Sequence, residues 1–221
     1  MKALSRPENL AGMARFGINV ENAFGISMPL LRSMAKEHRN NHALALSLWK
    51  TGIHDARILA ALIDDPVQVS EQQMECWVLG FNSWDICDQC CSNLFDKTEF
   101  AYRKAFEWSE RPEEYVKRAG FVLMATLSVH DKKAPDDAFR NFLKPIKREA
   151  CDQRNFVKKA VNWALRQIGK RNPALIKDAI RTANEIRMME SSSARWIAAD
   201  ALRELDKCRK KGSRYNPAAL E

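Results

Sequence analysis

The sequence predicts an all-α fold, an α-α superhelix or solenoid of stacked helical hairpins with a basic concave face. Three observations carry this expectation. Apolar residues recur at three- and four-residue spacing, and no comparable run alternates with period two. Most of the eight prolines stand where a helix can begin, as Pro29, Pro66, Pro112, Pro135 and Pro173 do; proline in the first turn gives up only an N–H that would have had no partner there. Helix starts near Ser70, Asn82, Thr98, Pro112, Pro135, Arg154, Asn172 and Ser191 space two-helix units at roughly thirty to forty residues. Stacked hairpins of this kind curve and present a concave surface.

The elements follow in order. Leu44-Leu46-Leu48-Trp49 and Ile58-Leu59-Leu62-Ile63 supply the apolar stripes of two early helices. The helix after Asn82-Ser83 opens with Trp84-Asp85-Ile86-Cys87-Asp88; Asn82 or Ser83 can cap it, and Asp85 complements its dipole. Phe156, Val157, Ala160, Val161, Ala164, Leu165 and Ile168 line one face of a helix over 155–170, and Trp196, Ile197, Ala201, Leu202 and Leu205 line the next. In all, about ten to twelve helices are expected in a single domain over 1–221, with 207–221 a flexible basic tail.

At 221 residues the chain can bury roughly 70% of its unfolded surface, so no disulfide or metal staple is required. Its six cysteines have no framework spacing, and Met1 to Leu10 has no apolar core of signal-peptide length. No run reaches the eighteen or so apolar residues of a membrane span. Reduced thiols in a cytoplasmic, monomeric protein are expected, with no membrane, metal or cofactor. Cys87-Asp88-Gln89-Cys90 has C-x-x-C spacing but no second ligand pair. Nucleophile elbows, phosphate loops and dinucleotide-binding glycines are absent. His38, His42, His54 and His130 have no carboxylate at helical spacing and read as ordinary core or surface residues.

Charge points to nucleic acid. Between Arg140 and Arg171 stand ten Lys or Arg (Arg140, Lys144, Lys147, Arg148, Arg154, Lys158, Lys159, Arg166, Lys170, Arg171) against Glu149 and Asp152, an excess of 8 that equals the net charge of the whole chain, 36 − 28. Charge gathered in one stretch makes a field that attracts phosphates. Two aromatic–charged pairs stand out. Trp84 and Asp88 are four apart and share a helical face, as do Trp163 and Arg166, three apart in the basic stretch. An indole beside cations can offer a flat wall to a base while the cation holds the backbone. The same tryptophans could instead belong to the core, with Asp85 and Asp88 as cap and surface charge.

The chain resembles the DNA alkylation repair glycosylases built from HEAT-like helical repeats, of the AlkD type, over most of its length. The resemblance rests on Phe24-Gly25-Ile26-Ser27-Met28-Pro29-Leu30-Leu31-Arg32 with Lys36, on His42-Ala43-Leu44-Ala45-Leu46-Ser47-Leu48-Trp49 leading to His54-Asp55-Ala56-Arg57, on Ser83-Trp84-Asp85-x-x-Asp88, on Lys117-Arg118-Ala119 and on Lys158-Lys159-Ala160-Val161-Asn162-Trp163-Ala164-Leu165-Arg166. The W-D-x-x-D and K-A-x-x-W-x-L-R elements are the specific ones, and the rest is repeat texture. The resemblance implies excision of cationic N-alkylated purines, of the 3-alkyladenine and 7-alkylguanine kind, from duplex DNA without flipping the base into a pocket. It makes Asp88 the catalytic carboxylate, with Asp85 the next candidate, Trp84 and Trp163 the aromatic walls, and Arg118 and Arg166 backbone clamps. Lys158, Lys159, Lys170, Arg171 and Arg154 would add phosphate contacts. The expected partner is duplex DNA containing alkylated bases, and the product an abasic site. Two other readings fit the same residues: a non-catalytic repeat protein that binds damaged or branched DNA, and a protein-interaction scaffold with a basic groove. Salt-dependent duplex binding and release of a methylated base separate the three.

Overall fold

The computed structural model describes residues 1–215, with side chains through residue 210, and every α-helix or 3-10 turn in it is joined by irregular loops, with no strand among the described residues. The helices are α1 (Leu10–Arg15), α2 (Met28–Glu37), α3 (His42–Lys50), α4 (His54–Ile63), α5 (Glu71–Leu79), α6 (Trp84–Asn93), α7 (Ala101–Ser109), α8 (Glu114–His130), α9 (Asp136–Arg148), α10 (Asn155–Lys170), α11 (Pro173–Arg187) and α12 (Ser192–Tyr215). The expected single domain divides into two compact units, Met1–Ala101 and Tyr102–Glu221. The stretch from Lys207, expected to be flexible, continues α12 as helix to Tyr215, and residues 216–221 lie outside the described residues.

Three of the predicted starts, Ser70, Asn172 and Ser191, carry side-chain caps. Ser70 accepts the amide of Gln73 ahead of α5, and Asn172 accepts those of Ala174 and Leu175 ahead of α11, whose first residue is Pro173. Pro66 is different. It sits in a turn after α4, where Asp65 accepts the Val67 amide and the Gln68 side chain; an aspartate that bonds the backbone two residues on makes a turn without a helix following. Pro145, by contrast, lies inside α9.

In the first unit α4 packs against α3, α2 and α6. The core is aromatic: Trp49 stacks on Trp77 with centroids 4.1 Å apart, and Phe81 and Phe95 close around them. Arg57 covers Trp49 at 4.9 Å and donates to the Gly80 carbonyl at 3.0 Å. Gly25 adopts φ +72°, and a Cβ there would stand 2.4 Å from the Arg6 carbonyl. Only glycine lets residues 5–9 lie so close, fixed by Arg6 N–H on the Phe24 carbonyl and the Asn9 amide on that of Gly25.

The second unit is built on α8, buried from Val116 to Ser128. At Gly120 a Cβ would stand 2.5 Å from the Ser109 nitrogen, so α7 and α8 touch backbone to backbone. Beyond it α10 lies against α8 and α12, and α11 against α9 and α12. Hydrogen bonds here repeatedly join residues 38 positions apart: Glu110 with Arg148, Arg118 with Phe156, Arg140 with Asp178, Lys147 with Glu185, Gln153 with Ser191, Asn162 with Asp200 and Arg166 with Glu204. A constant offset between contacting residues is the mark of stacked repeats, each touching the next at equivalent positions. In the first unit the matching offset is 31, between Phe24 and Asp55 and between His54 and Asp85.

Candidate functional site

The amino end of α6 is anchored by a buried polar network. Ser83 occupies the cap position but does not cap; its hydroxyl donates to Asp85 Oδ1 at 2.5 Å. Asp85 Oδ2 meets His54 Nε2 at 2.8 Å, and His54, at the start of α4, is only 5% exposed. Its Nδ1 faces Asp55 Oδ2 at 3.9 Å and has no hydrogen-bond partner. Asp55 is 1% exposed and accepts the amides of Phe24 at 2.6 Å and Ile26 at 2.7 Å. Burial alone would raise the Asp85 pKa, but the bonds from His54 and Ser83 outweigh it and hold the carboxyl below its ordinary value. Two histidines thus do have carboxylate partners, His42 with Asp64 at 2.7 Å and His54 with Asp85, reached through the fold rather than along one helix. The segments that read as repeat texture, Phe24 to Ile26 and His54 to Arg57, meet in this network.

On that base Trp84 and Asp88 sit one turn apart, both half-buried. The Trp84 indole N–H donates to the Phe16 carbonyl at 3.1 Å, which ties the ring to the amino-terminal segment. The opposite side of α6 is core: Ile86, Cys87, Cys90 and Cys91 are fully buried, and burial pushes the Cys90 and Cys91 thiols well above their usual range. Among the described residues no group of three or more His, Cys, Asp or Glu side chains is arranged to hold a metal ion. No helix among them is long and apolar enough to cross a membrane.

In the second unit Trp163 is half-buried, whereas Val157, Ala160, Val161 and Ala164 beside it are buried, so its ring lies outside the apolar stripe. Lys159, Trp163, Arg166 and Lys170 are spaced to share one face of α10. Their charges are largely answered. Arg166 and Lys170 both pair with Glu204 of α12, whose carboxyl is held below its usual range although burial opposes that. Arg154 is clamped on Asp152 and donates to the Pro112 carbonyl at 2.6 Å. Arg171 donates to the carbonyls of Ser128 and Ala134 at 3.1 Å and lies over Phe139. Lys158 lies over Trp196 at 5.1 Å. Arg118 is 5% exposed and donates to the Phe156 carbonyl at 2.6 Å, joining α8 to α10. Among the described residues, Lys159 is the one of these candidates that is exposed and lies in no ion pair.

The basic stretch over 140–171 is therefore far less positive than its sequence. Arg140 pairs with Asp178, Lys147 with Glu185 and Arg148 with Glu110, all from neighbouring repeats. These acids lie outside residues 140–171 in the sequence.

A protein-family model described as DNA alkylation repair enzyme matches residues 1–205. The chain belongs to that family. This member of the DNA alkylation repair enzymes also shares its fold with a solved structure, at TM-score 0.77 and 23% identity over 94% of this chain and 92% of that one; that structure is described as a new family of proteins related to the HEAT-like repeat DNA glycosylases with affinity for branched DNA structures. The fold is thus that of HEAT-like helical repeats. An engineered protein aligns at TM-score 0.39 and 14% identity, over 80% of this chain and 90% of that one, too low a similarity to bear on the argument. No curated protein sequence matches the chain. In this chain Trp84 and Asp88 lie half-buried on α6 of the first unit, and Trp163 and Arg166 half-buried on α10 of the second.

Proposed function

We propose that this family member is a monofunctional DNA N-glycosylase that excises cationic N-alkylated purines from duplex DNA and leaves an abasic site. One observation carries the reading: Trp84 and Asp88 lie one turn apart on the half-exposed side of α6, over a buried network that fixes where that helix begins.

Alkylation at N3 or N7 leaves the purine positively charged, so it departs without protonation. Water attacks C1′, the bonding pair stays with the purine nitrogen and neutralises the ring, and the water proton passes to Asp88 or to solvent. The sugar acquires oxocarbenium charge on the way, and Asp88 stabilises it as an anion and orients the water. Tryptophan faces attract cations by roughly 0.5–2 kcal/mol, so the Trp84 face beside Asp88 favours a charged nucleotide over a neutral one, and Trp163 offers a like face in its own unit. Lys159, and Arg166 and Lys170 on exchanging Glu204 for phosphate, hold the backbone. Arg118, buried on the Phe156 carbonyl, acts as a tie between helices.

The test is release of 7-methylguanine and 3-methyladenine from methylated genomic DNA, followed by chromatography, for the parent protein and Asp88→Asn. The substitution should cost about 10²–10³ in rate, the usual loss for one preorganised stabilising group, with DNA affinity kept. Normal release by Asp88→Asn would remove the assignment. A second reading follows from the structural relative's described affinity for branched DNA: no base release, with binding to four-way junctions stronger than to duplex, would make this a non-catalytic binder.

A further inference from the structure

We propose that Arg32, Lys36 and Arg39 form a phosphate-gripping groove that holds the DNA backbone near the Asp88 end of the first unit; this rests on the reading of the chain as a DNA-binding protein.

The groove, of about 230 Å³, is lined by Arg32, Ala35, Lys36 and Arg39 of α2 and the residues just after it, by Leu62 of α4 and by Asn93 of α6. Its geometry follows from how α2 is seated. Leu31 and Ala35 are the buried residues of that helix, so Arg32 and Lys36, each one step further round, rise along its edge, and Arg39 follows two residues after its end.

These three cations are gathered in one groove and lack the carboxylates that answer most of the basic stretch in the second unit. In the second unit Arg140, Lys147, Arg148, Arg154, Arg166 and Lys170 are each given a carboxylate. Arg32, Lys36 and Arg39 are exposed and, among the described residues, lie in no ion pair. The nearby acids do not answer them. Glu37 is exposed and pairs with none of them, and Asp64 is buried and occupied by His42 and Gln73, both at 2.7 Å. Like charges one turn apart weaken a helix, so Arg32 and Lys36 at i and i+4 of α2 cost the fold a little and return nothing to it.

Their spacing and setting suit a phosphodiester. Three donors along a concavity, floored by Ala35 and Leu62 and closed by the Asn93 amide, fit a chain of anions better than one carboxylate. Asn93 lies five residues after Asp88 on α6, roughly 7.5 Å along the axis and about 140° round it, so the groove flanks the Asp88 face on the same helix.

The experiment compares three proteins for affinity to a duplex carrying one abasic-site analogue, across salt. They are the parent chain, Arg32→Ala/Lys36→Ala/Arg39→Ala, and a control with the same net charge, Lys2→Ala/Lys50→Ala/Lys133→Ala. Thermal melting verifies that all three fold. The groove variant should flatten the log K against log salt slope by roughly 1 to 3 units, about one per phosphate released, while the control stays near the parent. Replacing single phosphates by neutral methylphosphonate should weaken the parent at one or two positions near the analogue and leave the groove variant unaffected there. Equal slopes for the groove variant and the control, or the same methylphosphonate profile in parent and groove variant, would overturn the proposal while leaving DNA binding intact. A parent protein with no salt-dependent duplex binding would overturn both.

Discussion

Replacing Asp55 by Asn removes a single negative charge and changes no volume, yet it should loosen the amino-terminal third of the first unit. Asp55 is almost wholly buried, and its two oxygens accept the Phe24 and Ile26 amides at 2.6 and 2.7 Å. A hydrogen bond to a charged group contributes about 1.5–3 kcal/mol. In asparagine one oxygen survives and the other becomes an NH2 that faces an N–H, so one bond is lost and two donors are buried against each other. The cost is about 3–5 kcal/mol. For a chain of this size 1 kcal/mol moves the melting point by roughly 2–4 °C, so the fall should be about 6–20 °C. Circular dichroism at 222 nm during heating measures it, and exchange of the Phe24 and Ile26 amides locates it. Because Phe16 holds the Trp84 ring, base release should fall as well, at temperatures where the helices persist. A melting point within about 2 °C of the parent, with both amides still protected, would refute this account of what anchors the segment.

Other perturbations follow from the same geometry. Lys159→Gln should flatten the salt dependence of duplex binding by about one unit, whereas Lys147→Gln, whose lysine is occupied by Glu185 at 2.7 Å, should barely change it; equal effects would mean that the ladder pairs open on binding. Asp85 is held below its ordinary pKa in the folded chain, so its stabilisation is complete above the unfolded value, about 3.9, and is lost as pH falls through the lower folded value. Asp85→Asn should accordingly lower stability at neutral pH and flatten its decline below pH 4, as urea unfolding at several pH values would read. Gly120→Ala should destabilise, since its Cβ meets the Ser109 nitrogen at 2.5 Å and the Ala105 carbonyl at 2.9 Å. Overpacking of about 1–3 kcal/mol exceeds the gain in helix propensity of up to about 1 kcal/mol, and a raised melting point would show that α7 can move aside.

Fold and site were legible in the sequence to different depths. Helix periodicity and caps are local, so Ser70, Asn172 and the stripe on α10 announce themselves. The pairing of Trp84 with Asp88 and of Trp163 with Arg166 is also local, being fixed by the turn of one helix. What lay hidden was long-range. The basic stretch from Arg140 to Arg171 looked uncompensated because Asp178, Glu185 and Glu204 lie beyond it, one repeat away. His54 looked ordinary because its carboxylate, Asp85, is 31 residues on. Arg118 was a clamp by resemblance alone, from the short match Lys117-Arg118-Ala119, whereas its buried guanidinium ties α8 to α10. Arg32, Lys36 and Arg39, at and just after α2, carried a readable signal in their spacing, but a small one beside the longer basic run.

The 38-residue ladder has a further consequence for which changes in length the chain can tolerate. Each rung, such as Asn162 with Asp200 or Arg166 with Glu204, needs both ends turned to the same seam. A deletion inside α10 rotates everything after it by about 100° and shifts it by 1.5 Å. Every later rung on that helix then points away from its partner at once, so the loss is collective rather than local. A deletion in the loop between α8 and α9, at Lys132 or Lys133, only shortens a connection and leaves both helix phases intact. Tolerated insertions and deletions in this unit should therefore gather between the helices, leaving the phase of each helix that carries rungs intact even where its residues change.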